Sequence, residues 1–176
     1  SSVKPSLPYT DFALNASHDI ASALRSMKKN DNVVIARGET YIETGLKVLK
    51  GGVIAGLGGK WIGNPHGLWK RKAAYVPEYE HFPVVNGNSN GRVFEIKADV
   101  VSLAGMVVTG GNAAKGSAVL AAGRSDLLFC ALKMEENIAS SEGGALYVGK
   151  SNSSSSPRNV TVESSHFAGN VSSDGG

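Results

Sequence analysis

A repeat is the feature that most constrains what this chain can fold into. From residue 92 onward, short apolar segments return in a fixed order, each unit closing on an asparagine. Segments 92–96, 100–103 and 106–108 lead to Thr109-Gly110-Gly111-Asn112. Segments 117–121 and 127–129 lead to Met134-Glu135-Glu136-Asn137. Segments 144–148 and 159–162 lead to Phe167-Ala168-Gly169-Asn170. The closing asparagines lie 25 and 33 residues apart, and the longer interval contains the Ser-rich insert 151–158. A period near 25 with about three short strands per unit is the mark of a β-solenoid. One unit cannot bury its apolar face alone, so neighbours must stack and share a continuous core.

Stacking at the inter-strand spacing of about 4.8 Å places equivalent side chains directly over one another. Asparagines at one turn position can then form a ladder of amide hydrogen bonds. The spacing assigns Asn112, Asn137 and Asn170 to such a structural ladder.

Upstream of the repeats, 17–29 reads as a short amphipathic helix. Ser17 is the expected N-cap and Asp19 lies in the first turn. Ile20, Ala23, Leu24 and Met27 make one apolar stripe, and Lys28 and Lys29 complement the dipole of the last turn. Short strands follow at 32–36, 40–42, 46–49 and 53–55, separated by glycine-rich turns. A solenoid end exposes open core and unpaired backbone, and the helix is expected to cap the N-terminal end. No such cap is readable at the other end, where Val160, Val162 and Phe167 would face solvent. The expectation is that 1–176 is one β-helix domain and the N-terminal part of a longer solenoid, or that another chain docks end-on.

The net charge of +3 on 176 residues argues against a nucleic-acid partner. No apolar run reaches the roughly 18 residues of a membrane span, so no membrane insertion by this segment is expected. Cys130 is the only cysteine; it cannot form an intrachain disulfide and reads as a buried structural thiol. Four Asn-X-Ser/Thr triplets suggest a secreted or cell-surface glycoprotein. Asn15, Asn152 and Asn159 are the expected acceptors; Asn170 is expected to stay unmodified inside the ladder.

Residues 60–83 break the rhythm and read as a long excursion from the core. Trp61, Trp69 and Tyr75 beside Lys70, Arg71 and Lys72 are candidates for gripping a polysaccharide by stacking and charge, or for pinning the loop to the solenoid wall. Asp99 and Asp126 fall near equivalent points of successive units. Acid–base work on sugars needs two carboxylates at a defined separation, and the third unit offers Asn159 there, so they read as solvated turn residues. His18, His66, His81 and His166 show no metal-ligand spacing, and His166 reads as a turn residue. No catalytic residue, cofactor or metal is assigned.

Two stretches resemble known families. The helix at 20–27, Val33-Val34-Ile35, the turn Arg37-Gly38-Glu39-Thr40-Tyr41 and Leu46-Lys47-Val48-Leu49-Lys50-Gly51-Gly52-Val53-Ile54-Ala55-Gly56 resemble the opening of pectin-lyase-like proteins, with Arg37 where that family carries proline. Met134-Glu135-Glu136-Asn137 followed by Gly143-Gly144-Ala145, and Phe167-Ala168-Gly169-Asn170 followed by Gly175-Gly176, resemble the FxxN and GGA repeats of the chlamydial polymorphic outer-membrane protein type. The first copy has Met for Phe, and the second stops before its alanine. The resemblance implies an all-β fold, a right-handed parallel β-helix with a short N-terminal capping α-helix. It implies an extracellular structural or adhesive module rather than an enzyme. The wider family also holds polysaccharide lyases and hydrolases, so the alternatives are a carbohydrate-active enzyme or a carbohydrate-binding module.

Overall fold

A computed structural model describes residues 12–14, 19–56, 59–62, 74–77, 81–122, 126–149 and 159–174, the first, third and fourth of these segments as backbone alone. Strand β1 (Phe12–Leu14) precedes a short helix, α1 (Ile20–Ser26). The chain then runs through β2 (Asp31–Ile35), β3 (Thr40–Ile42) and β4 (Leu46–Val48). A second pass begins with β5 (Gly52–Gly56), leaves through β6 (Gly59–Ile62) and β7 (Ala74–Pro77), and resumes with β8 (Val84–Asn86) and β9 (Phe94–Ile96). The third pass is β10 (Val100–Ala104), β11 (Val107–Thr109), β12 (Asn112–Lys115) and β13 (Val119–Ala122). The fourth is β14 (Asp126–Cys130), β15 (Lys133–Glu135), β16 (Ile138–Glu142) and β17 (Leu146–Gly149). Strands β18 (Asn159–Glu163), β19 (His166–Ala168) and β20 (Val171–Ser172) follow.

Each strand pairs with its counterpart in the neighbouring pass, always in parallel. Four sheets result: β1-β2-β5-β10-β14-β18, β3-β8-β11-β15-β19, β12-β16-β20 and β4-β9-β13-β17. This is an all-β arrangement of stacked parallel sheets, compatible with the expected β-helix. The exception is β6–β7, an antiparallel pair that joins none of the four sheets. The sequence reading anticipated no hairpin in the excursion.

Parallel register turns the repeat into columns. Val33, Ile54, Leu103, Phe129 and Val162 stack in the first sheet. Tyr41, Val85, Val108, Met134 and Phe167 stack in the second, and Leu46, Phe94, Val119 and Leu146 in the fourth. Every member except the last of each column is buried in one continuous core. The first sheet is also covered on its outer face, where Val53, Ala55, Ala104, Leu128 and Cys130 pack with Phe82. Burial on both faces explains why 127–132 is an unbroken apolar run. The Cys130 thiol lies inside that second cluster.

The helix is shorter than its sequence pattern suggested. It spans seven residues with Asp19, not Ser17, as N-cap; the Asp19 carboxylate accepts from the Ser22 N–H. Ser17 lies outside the described residues. The N–H groups of Ile20 and Ala21 donate to the two carboxylate oxygens of Glu43 at 2.7 and 2.9 Å. This partner from a later turn satisfies donors that a helix end otherwise leaves open. Ile20, Ala23, Leu24 and Met27 are all buried, so the predicted stripe is the face turned to the core. Among the described residues no helix is long and apolar enough to cross a membrane.

Candidate functional site

At the turn after β15, the structure joins two of the three expected ladder asparagines. Asn137 is fully buried. Its Oδ1 accepts from the Gly111 N–H at 2.9 Å. Its Nδ2 donates to Val108 O at 3.1 Å, Glu135 O at 3.0 Å and Asn170 Oδ1 at 2.9 Å. Asn170 Oδ1 also accepts from the Asn137 N–H at 3.2 Å, and Asn170 Nδ2 donates to Met134 O at 2.9 Å. Asn112 takes no part. It is exposed and stands opposite Ile138, one residue past the ladder position, which Gly111 occupies. A Cβ on Gly111 would meet Asn137 Oδ1 at 2.9 Å and collide with the Ser117 carbonyl, so this rung has no room for an amide of its own.

The last strands form an open face. Val160, Val162 and Phe167 stand in register over buried Leu127, Phe129 and Met134. They are themselves 38, 45 and 42 % exposed. Among the described residues, strands β17, β18, β19 and β20 each have one edge without a parallel neighbour. A recess of about 410 Å³ lies between 143–146 and 167–170.

A second concavity sits at the corner where the chain passes from the fourth sheet into the first. It is a cleft of about 660 Å³ bordered by Lys29, Lys50, Lys97, Asp99, Leu49 and Val100. Sequence reading missed it because the three lysines are far apart in the chain. The signal lies in the register: Asp31 pairs with Gly52, and Gly52 with Val101. Lys29, Lys50 and Asp99 each stand two residues before those positions.

Asp99 and Asp126 do not stack. Asp126 pairs with Val100 and with Asn159, whose Nδ2 donates to Asp126 Oδ1 at 3.1 Å. The Asp126 N–H donates to the Asp99 carbonyl at 2.7 Å. Asp126 thus belongs to a strand rather than a turn, and His166 likewise lies, exposed, in β19. His81 is exposed; His18 and His66 lie outside the described residues. Of the aromatic and basic candidates, Trp69, Lys70, Arg71 and Lys72 lie outside the described residues. Trp61 and Tyr75 are directly paired backbone positions of β6 and β7. Asn159 is exposed at the start of β18, while Asn15 and Asn152 lie outside the described residues.

The clearest charge pair is Lys115 with Glu142, 2.9 Å apart across paired strands, with the Lys115 ammonium 5.0 Å from the Tyr147 ring centroid. Hydrogen bonding to Lys115 holds the Glu142 carboxyl below its usual range, and Glu142 raises Lys115 in return. The Glu142 contribution is present above the ordinary glutamate range and lost as pH falls through its lowered value. Both groups are open to solvent, so salt screens the pair.

Among the described residues the geometry is that of an all-β protein of stacked parallel sheets with one short helix. No protein-family model, curated protein or solved structure matches this chain.

Proposed function

We propose that this chain forms a right-handed parallel β-helix that serves as a non-enzymatic structural or adhesive module, outside the cell or at its surface. One observation carries the reading: the apolar columns run unbroken through every pass and end at an uncovered layer. A solenoid layer left open is a template for more of the same structure. The occupant that fits the face is a further coil of parallel β-helix polypeptide. It would pair with β17 to β20, fill the recess beside Phe167, and cover Val160, Val162 and Phe167. Register supports this, because the Asp174 N–H still donates to the Ser141 carbonyl at 2.9 Å, tracking the pass before it. The FxxN and GGA resemblance supports the surface role, and exposed Asn159 within its sequon supports an extracellular one.

Sedimentation velocity combined with hydrogen exchange tests this. The chain is expected to self-associate as concentration rises, with fast-exchanging amides in β18 to β20. The double variant Val160→Lys/Phe167→Lys is expected to remain monomeric. A wild-type monomer whose last strands are fully protected would overturn the open-face reading. Release of unsaturated or reducing sugars from acidic polysaccharides would overturn the non-enzymatic one.

A further inference from the structure

We infer that Asn90 is a modification site, at which the side-chain amide converts without an enzyme into aspartate and isoaspartate. The inference is independent of the proposed function and of what covers the last layer. The reaction needs an asparagine whose following backbone nitrogen is both unshielded and unengaged. The Gly91 nitrogen gives up its proton and attacks Asn90 Cγ. The N–Cγ bond forms, the Cγ–Nδ2 bond breaks, and Nδ2 leaves as ammonia. Water then opens the resulting succinimide ring. Breaking the newly formed bond gives aspartate. Breaking the original peptide bond leaves the chain running through Cγ, as isoaspartate. In sum an amide and water give a carboxylate and ammonium, so water is the sole co-reactant.

Three asparagines alternate along 86–90, and the fold engages the nitrogen that follows two of them. The Gly87 N–H donates to Thr109 O at 2.9 Å, and the Ser89 N–H donates to Gly110 O at 2.7 Å. Asn86 is held further by the Asn88 N–H, which donates to its Oδ1 at 2.7 Å, and Gly87 is buried. Attack by either nitrogen therefore requires local opening of a bond to the next pass. Asn90 differs. It is exposed, and among the described residues neither its side-chain amide nor the Gly91 N–H has a hydrogen-bond partner. Gly91 stands at φ +119°, a conformation that side chains rarely adopt, and the nearest atom to the place of a Cβ is Thr44 Cβ at 3.9 Å. The turn thus calls for glycine, and glycine leaves the nitrogen bare. Isoaspartate lengthens the backbone next to a point of contact between passes: the Gly91 carbonyl accepts from the Asn112 N–H at 2.9 Å, where β12 begins.

Peptide mass spectrometry with electron-transfer fragmentation, which separates aspartate from isoaspartate, tests the assignment on the wild-type chain held in mildly alkaline buffer. In the folded chain Asn90 is expected to convert at least tenfold faster than Asn86 or Asn88. In urea, where both Asn-Gly pairs are released, Asn86 and Asn90 are expected to convert at similar rates. Hydrogen exchange at the Asn112 amide is expected to quicken in the isoaspartate form and to stay slow in Asn90→Asp, which adds the charge without lengthening the chain. An intact Asn90 in the folded chain, conversion of Asn86 as fast as that of Asn90, or the same contrast persisting in urea would each overturn the assignment. Unchanged exchange at Asn112 in the isoaspartate form would overturn its effect on the third sheet.

Discussion

Replacing Phe94 by alanine is expected to destabilise the protein by about 3–5 kcal/mol, the usual cost of deleting a buried ring and leaving its cavity. Phe94 is fully buried and lies inside a column, between Leu46 on one side and Val119 on the other. The layers are hydrogen-bonded on both sides, so they cannot close around the void. For a chain of this size the loss corresponds to a fall in Tm of about 10 °C. Phe167→Ala is the matched control. It removes the same ring from the open layer, where the side chain is already 42 % exposed, and is expected to cost about 1 kcal/mol because little water-free surface is lost. Thermal unfolding followed by circular dichroism separates the two. Equal losses would mean that Phe167 is covered in the isolated chain.

Asn137→Ala is expected to cost about 3 kcal/mol, although it removes a polar side chain from the core. The amide answers the Gly111 N–H and the carbonyls of Val108 and Glu135, and it links to Asn170. Each buried group left without a partner costs about 1–3 kcal/mol. Asn137→Asp is expected to be at least as harmful, since it aims a carboxylate at two carbonyl oxygens. Asn112→Ala should change stability by less than about 0.5 kcal/mol, as exposed positions usually do. Urea unfolding of the three variants measures this. A loss for Asn112→Ala comparable to that for Asn137→Ala would contradict the register described above.

Asn112 also shows how far the sequence could be read. The repeat, the buried stripe of the helix and most strands of the first and fourth sheets were visible as short apolar runs, whereas in the second sheet only Thr40–Ile42 and Val107–Thr109 were. Register was not. Counting from asparagine to asparagine gives an interval of 25, but Asn112 pairs with Ile138, 26 residues on. A slip of one residue moves a side chain to the other face of its strand, and so takes Asn112 out of the ladder. The marker at the true position is Gly111, which has no side chain to read.

The third sheet was invisible for a related reason. Its strands, Asn112–Lys115, Ile138–Glu142 and Val171–Ser172, carry few apolar residues. Ile138 and Val171 point outward and are exposed. A register irregularity between Ala113 and Lys115 further blurs the alternation. The helix start was misjudged because its second cap is Glu43, more than twenty residues away. The lysine cleft needed the pairing of three passes before its residues could be seen as neighbours. Local patterns thus revealed elements and core, while whatever depends on which residue lies over which required the fold.

The most direct measurement of the central claim, a continuous stack of parallel passes, is the pattern of long-range backbone nuclear Overhauser effects in the isotopically labelled chain. Parallel stacking predicts contacts at constant sequence separation: Leu103 with Phe129 and Val108 with Met134, each 26 residues apart, then Phe129 with Val162 and Met134 with Phe167, each 33 apart. Contacts across 92–174 in which one partner's number falls as the other's rises would be the pattern of antiparallel hairpins. They would contradict the account.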